Sequence, residues 1–446
     1  MAPLLLGFGS ADPSATSQDH YQGGSMKLRK AILALAITGL AALPAAADEA
    51  PATTAQATTA GADASKEAPK TLDERVGDLE KSLGALANFE LSGMFYTSYL
   101  WNFNDPDNRI NSLRSLDNQD NTFGVDLFQL GIKKNGPGGL SAFIKLDVGN
   151  TASRIGADWN GNGQFTGVTG DSGDFEIEEV YANYAPDWSH GLSAKFGKFV
   201  TLLGAEVIEA PLNMNYSRSF LFGFAIPFTN TGVMFNYPFT DTLQTNLGVV
   251  NGWDNVADNN SAKTFMGNVA WAPSPKFSLA VAGIYGAENN NSSAHPRGVA
   301  DVVGTINLDP VMISLNGDYG TQGDAAVNIP GDTAEWYGFS GIVGMTFKDL
   351  ICLPIGAYVR GEVFRDQGGF RTGTNQTLWE ITGTGKYFIS DKFVIWLEYR
   401  HDGSDESVFT KSGEIVSTDP TTGDTVVTFP TRDYQDTIAI AASYVF

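Results

Sequence analysis

The stretch IAIAASYVF, residues 438–446, alternates with a period of two: Ile438, Ile440, Ala442, Tyr444 and Phe446 fall on one side of an extended chain. LSAFIKLDVG (140–149) does the same, sending Leu140, Ala142, Ile144, Leu146 and Val148 one way and Ser141, Phe143, Lys145 and Asp147 the other. In KFVIWLEYR (392–400), Phe393, Ile395, Leu397 and Tyr399 oppose Val394, Trp396, Glu398 and Arg400. One face is apolar and the other wet, and the pattern recurs from Phe89 onward.

A soluble sandwich can alternate in this way, so the connections decide. Tight ones fall at 135–139, 186–191, 238–242, 272–276, 308–310, 348–354 and 389–392. Longer polar ones fall near 102–122, 150–174, 202–228, 251–262, 287–297, 321–333, 364–373 and 402–431. Short and long connections alternate, as a transmembrane barrel with turns at one rim and loops at the other requires. The spacing predicts sixteen strands: 89–101, 123–134, 140–149, 175–185, 191–201, 229–237, 242–250, 263–271, 276–286, 298–307, 311–320, 334–347, 354–363, 374–388, 392–401 and 432–446. Segments of this length suit tilted crossings of a bilayer. Past the N-terminal leader no long apolar helix offers another way to span one, so the fold class expected is an all-β transmembrane antiparallel barrel over 89–446. A hairpin hidden in TKSGEIVSTDPTTGDTVVTF would add strands to this count. An even count puts both termini on the periplasmic side, and the last strand is expected to close on the first. Apolar rows on every strand argue against a soluble lectin-like protein.

Fifty Asp and Glu oppose 28 Lys and Arg, a formal charge of −22, which argues against nucleic acid as a partner. One cysteine, Cys352, excludes an internal disulfide framework. At the N-terminus, MKLRKAILALAITGLAALPAAADE from Met26 has the charged, apolar and small-residue order of a secretory signal peptide over 26–47, with cleavage expected after Ala47. Residues 1–25 then read as an upstream extension from a misplaced start, and 48–70 as an Ala, Thr and Pro linker. In 71–87, Leu72, Val76, Leu79, Leu83 and Leu86 take heptad spacing, which predicts a short helix that leads into the first strand or helps join subunits.

FELSGMFYTSYLWNFNDP (89–106), FQLGIKK (128–134), the run from Tyr181 to Pro238 and LQTNLGVVNGWDN (243–255) resemble the OmpL-like beta-barrel porins, most specifically in GAEVIEAPLNMNYSRSFLFGFAIPFTNTG (204–232). The resemblance implies an outer-membrane, channel-forming protein of poorly defined substrate. In sixteen-stranded general porins the loop after the fifth strand folds inward, and such porins are commonly trimers. By that likeness 202–228 is the expected constriction and a homotrimer the expected assembly. Tyr444 and Phe446 look like the signal read by outer-membrane assembly machinery, and lipid and lipopolysaccharide are the implied surroundings.

Within 202–228, Glu206, Glu209, Arg218, Asn213 and Tyr216 are the candidate polar groups, set among Leu203, Val207, Ile208, Asn215 and Phe220. Carboxylates facing a guanidinium would create a transverse field across a pore. Alternatively Glu206 or Glu209 pairs with Arg218, or with a wall lysine such as Lys195 or Lys198, and pins the loop. Parity turns Lys145, Asp147, Lys195, Arg360, Glu362, Trp396, Glu398 and Arg400 toward the lumen. Both signs are present, while loop acids Asp105, Asp107, Asp117, Asp120, Asp171, Asp174, Asp254 and Asp258 bias the mouths toward cations or simply solvate the surface.

DWNGNGQFTGVTGDSGD (158–174) loosely resembles a calcium loop, but Thr169 stands where the twelfth-position Glu is needed. No metal site or cofactor is therefore expected. His401 with Asp402 and Ser404 is the one grouping that suggests catalysis, and a non-enzyme is expected. Trp101, Trp253 and Trp396 keep a sugar-selective channel open, with Trp101 read as part of a lipid-facing girdle. The leading expectation is passive diffusion of small hydrophilic solutes or ions, the alternative a structural or adhesin-type barrel with an occluded lumen.

Overall fold

Each extended segment carries one apolar row, and only pairing on both edges satisfies its backbone, so the chain closes on itself. In the computed structural model the described residues are 71, 73, 75–77, 84, 88–158, 174–327, 329–347, 352–418 and 425–446. The expected extension, signal peptide and linker lie outside them, as do 159–173 of the calcium-like stretch. Positions 73, 75–77 and 84 are helical, the short N-terminal element.

The barrel strands are β1 (Phe89–Asn102), β2 (Thr122–Asn135), β3 (Leu140–Val148), β4 (Phe175–Tyr184), β5 (Ser193–Val200), β6 (Thr229–Thr240), β7 (Leu243–Val250), β8 (Thr264–Ser274), β9 (Phe277–Gly286), β10 (Arg297–Asn307), β11 (Val311–Gln322), β12 (Ala334–Thr346), β13 (Ile355–Gln367), β14 (Gln376–Phe388) and β15 (Phe393–Ser404). After four short strands, β16 (Phe409–Thr410), β17 (Ile415–Thr418), β18 (Thr425–Thr428) and β19 (Thr431–Arg432), comes β20 (Tyr434–Val445). β1 to β15 follow in chain order and β20 closes on β1, a sixteen-stranded antiparallel barrel. The expected hairpin exists as β17–β18, but it forms a separate two-stranded sheet and leaves the count at sixteen. Several strands run further toward the long loops than periodicity indicated: β13 continues to Gln367 and β15 to Ser404.

At the closure Met94 pairs with Val445 and Asn102 with Thr437. Gly93 and Phe446 exchange backbone hydrogen bonds, 2.9 Å from the Phe446 amide to the Gly93 carbonyl and 3.3 Å in return. A β-carbon on Gly93 would meet the Phe446 ring at 2.4 Å, so this position needs glycine. Parity holds along β15 and β20: Leu397 (57% exposed) and Ile440 (53%) point outward, while Trp396, Glu398, Arg400, Ala439 and Ala441 are buried inside. Phe123, Phe196, Leu247, Phe265 and Tyr285 continue the outward apolar surface.

In β2 and β4 a bulge breaks that parity. Opposite Tyr96 and Thr97, β2 carries Asp126 as an extra residue; opposite Lys145 and Leu146, β4 carries Glu178. Each bulge turns two neighbouring side chains inward, so Asp126 and Leu127, and Glu178 and Glu179, are all buried. The β3–β4 connection adds a short helix, α1 (Asn150–Ile155), whose Thr151 hydroxyl lies 3.0 Å from that of Tyr96.

Candidate functional site

The segment between β5 and β6 lies against the inner faces of the barrel strands. Its apolar residues Leu202, Leu203, Ile208, Phe222 and Ile226 join a core with Met234 on β6, Val250 on β7, Met266 on β8 and Ile284 on β9. Toward its end Leu221–Ala225 makes one wide helical turn. A helical turn begins with amides that lack partners; here the Glu362 carboxylate on β13 accepts from the Phe220 and Leu221 amides, each at 2.6 Å. Glu398 on β15 does the same for Tyr216 (2.7 Å) and Ser217 (2.9 Å). Two wall carboxylates thus hold the loop backbone.

The loop's charges are met by wall charges of opposite sign. Arg360 donates to Glu206 at 2.7 Å, to Glu380 on β14 at 2.7 Å and to the Ser217 carbonyl at 2.7 Å. Glu206 uses its other oxygen to accept from the Ser219 amide at 2.8 Å. Beside this hub, Arg400 pairs with Asp402 at 2.6 Å and donates to the Arg218 carbonyl, and Arg114 from the β1–β2 loop reaches Asp402 at 3.3 Å. On the other side Glu209 accepts from Lys145 at 2.9 Å, and the same ammonium lies 2.9 Å from both Glu178 and Glu179. Asp147 is fully buried next to this group.

Arg218 makes no ion pair with Glu206 or Glu209. Arg218 donates to the carbonyls of Val207, Ile208 and Tyr216 and holds its own loop in shape, because the backbone curls around the guanidinium before any carboxylate can reach it. Nor do the two lysines singled out for pinning meet the loop acids: Lys195 lies over the Tyr181 ring at 4.2 Å, and Lys198 pairs with Glu176. Asn213 also works within the loop, bonding the Val207 amide (2.9 Å) and carbonyl (2.7 Å), while its own carbonyl accepts from Lys386 at 2.6 Å. Tyr216 reaches across to Asp126, hydroxyl to carboxylate at 2.8 Å.

Toward the long-loop rim, Trp253 and Trp336 meet edge to face, with Arg297 at 4.9 Å and Arg371 at 4.8 Å from the Trp253 ring centre. Arg371 also donates to the Phe224 carbonyl, and the Trp336 indole to that of Ala225 at 3.1 Å. Burial, followed by the like charge of Arg297, brings the Arg371 guanidinium down to about 9. Asp254 accepts from the Phe228 (2.8 Å) and Thr229 (2.7 Å) amides where the loop rejoins the wall, and burial pushes its carboxyl up to about 6 against those hydrogen bonds. Phe409 from the last long loop is buried in the same core, and the Thr410 amide beside it donates to the Ser112 hydroxyl at 3.0 Å. Of the loop acids read as solvated surface, Asp120 and Asp254 are buried, and Asp117 pairs with Arg114 at 3.1 Å.

Trp396 points inward, but Lys386 stacks on it at 3.8 Å and its indole donates to Ser443 at 3.2 Å. One face is therefore covered against a sugar ring. Trp253 is buried beneath the arginines, and Trp101 is exposed on the outer surface, stacked on Phe103. His401 does not join Asp402 and Ser404: its Nδ1 lies 2.7 Å from Asp436, while Asp402 binds Arg400 and Ser404 donates to Gln376 at 2.8 Å. Successive strand residues face opposite ways, which sets His401 on the other face of β15 from the buried Asp402 and Ser404. Among the described residues no group of three or more His, Cys, Asp or Glu is arranged to hold a metal ion.

The profile of the family described as "Putative beta-barrel porin-2, OmpL-like" matches residues 88–429. The chain belongs to this family. A search of curated proteins finds no match. Among solved structures, this porin-family barrel is similar to OmpF of Salmonella typhi, solved in complex with daunomycin, at 12% identity and a TM-score of 0.51, covering 80% of this chain and 97% of that one. An anion-selective porin from Comamonas acidovorans matches at 11% identity and a TM-score of 0.49, covering 80% and 99%. OmpT of Vibrio cholerae matches at 11% and 0.47, covering 80% and 97%. The likeness to OmpF speaks to the fold alone.

Sequence reasoning missed Asp126, Glu178, Glu179, Glu380 and Arg114 in this family member, and it singled out Asp402 only beside His401, not as the partner of Arg400. Glu380 and Asp402 share the parity of Thr382 and Arg400 and were open to the same reading. Asp126 and Glu178 sit at bulges, which no periodicity announces.

Proposed function

We propose that the protein is an outer-membrane channel for passive diffusion of small hydrophilic solutes or ions, with residues 202–228 as its constriction. The observation that carries this reading is the inward loop, held by charged wall residues inside a barrel whose outer surface is apolar. Buried carboxylates outnumber buried bases among the described residues, which supports a mild cation preference. The short-turn rim and both termini then lie on the periplasmic side, with the long loops among lipopolysaccharide. Export by the leader at 26–47, assembly through Tyr444 and Phe446 and a homotrimer complete the proposal.

A second reading, a barrel with an occluded lumen that works through its surface loops, is favoured by one observation. Asn215, Leu221 and Arg360 are each 0% exposed, so the loop is packed against the wall at that level. Single-channel recording of the refolded chain in an asymmetric KCl gradient separates the two. Discrete steps with a cation-leaning reversal potential are expected. A folded, heat-modifiable barrel giving no steps even with 202–228 shortened would sink the channel reading and favour the second.

A further inference from the structure

Asp301 on β10 and Asp318 on β11 are direct cross-strand partners, and their side chains are 1% and 5% exposed. Like charges directly opposite one another destabilise a sheet, and burial makes the repulsion worse. The protein supplies little to offset it. Asn316 donates to one oxygen of Asp301 at 2.7 Å, and its own carbonyl oxygen is taken by the Ala205 amide at 3.1 Å. The other Asp301 oxygen and both oxygens of Asp318 meet no hydrogen-bond donor. The neighbouring charge felt by Asp318 besides Asp301 is Glu362, of the same sign. This differs from the loop carboxylates Glu206 and Glu209, where Arg360 and Lys145 stand in contact.

We propose that Asp301 and Asp318 form a binding site for one divalent, oxygen-preferring cation such as Ca²⁺ or Mg²⁺. Two carboxylates match its charge, and hard divalent ions accept two protein carboxylates with water completing the shell. The buried Asp318 carboxylate receives no hydrogen bond from a donor group and lies within hydrogen-bonding reach of Asp301 across the strand pair, so one ligand can meet both groups. The site adjoins the start of the inward loop through Asn316 and Ala205, so an ion here also relieves repulsion where that loop leaves the wall. The inference stands whether or not the barrel conducts.

Equilibrium dialysis of the refolded full-length chain against ⁴⁵Ca²⁺ at pH 8 tests it. Asp301→Asn and Asp318→Asn are each expected to lose one bound equivalent relative to the parent, and Ca²⁺ is expected to raise the heat-modifiability midpoint of the parent by several degrees more than that of either variant. Undiminished binding in both folded variants overturns the site. So does an absence of Ca²⁺ and Mg²⁺ binding by the parent, which would mean that the two carboxylates share a proton instead. Should the variants fail to fold, crystals of the parent soaked in MnCl₂ decide: an anomalous peak between Asp301 and Asp318 supports the site, and none there rejects it.

Discussion

The guanidinium of Arg360 reaches the carboxylate of Glu206 at 2.7 Å across the boundary between wall and loop, and both side chains are buried. Because Arg360 also binds Glu380 and the Ser217 carbonyl, its removal strands two acids and a carbonyl at once. Breaking one side of a buried pair typically costs about 3–5 kcal/mol. Arg360→Ala is therefore expected to lower barrel stability by about that amount, measured as a urea midpoint in detergent. Glu206→Gln keeps one of the two acceptor oxygens, enough for either Arg360 or the Ser219 amide, and leaves Arg360 its Glu380 and Ser217 partners, so it should lose less than Arg360→Ala. Equal losses from both would mean that the pair is not the hub described.

Glu362 gives a more local expectation, since its carboxylate holds two backbone amides. An orphaned buried donor costs about 1–3 kcal/mol. In Glu362→Ala, hydrogen exchange at Phe220 and Leu221 should accelerate by at least tenfold while β1 and β20 keep their protection. Glu362→Gln, which retains an acceptor, should fall between. Unchanged exchange at the two amides would remove Glu362 from this role.

The contrast between these two residues and Arg218 marks what the sequence made legible. Arg360, Glu362, Glu398 and Arg400 alternate with outward residues such as Val359, Val363, Leu397 and Tyr399, so strand parity alone orients them. The strand count was legible for the same reason, and a hairpin outside the sheet did not disturb it. A loop has no period. Whether Arg218 meets Glu206 or its own carbonyls depends on how the backbone turns between Val207 and Tyr216, and nothing local encodes that. Bulges hide the rest: Glu178 meets Lys145 because an extra residue in β4 turns it inward.

Asp254 links the loop's return to pH. Its folded-state value of about 6 lies above the ordinary carboxylate value, so the folded protein holds the proton more tightly than the unfolded chain. Stability from this group is thus fully present below about pH 4 and is lost as pH rises through 6. By pH 8 the loss amounts to about 3 kcal/mol. Asp254→Asn keeps an acceptor for the Phe228 and Thr229 amides and suits the left-handed backbone at this position, φ 56°. It should stabilise the barrel at pH 8 and flatten the profile between pH 4 and 7. A variant less stable than the parent at pH 8 would show that the charged form is the favoured one.

At the seam, the Phe446 ring rests on Gly93, and the two residues exchange backbone hydrogen bonds. A β-carbon at Gly93 would stand 2.4 Å from that ring and 2.6 Å from the Gln129 carbonyl oxygen on β2, so it would be squeezed from both neighbouring strands. Overpacking of this kind costs about 1–3 kcal/mol. Gly93→Ala should therefore lower the heat-modifiability midpoint, and Phe446→Ala in the same chain should restore only part of the loss, because the Gln129 carbonyl is backbone and cannot swing away. Full restoration would place the whole strain on the ring, and no loss in Gly93→Ala would mean that the seam between β1 and β20 has room to spare.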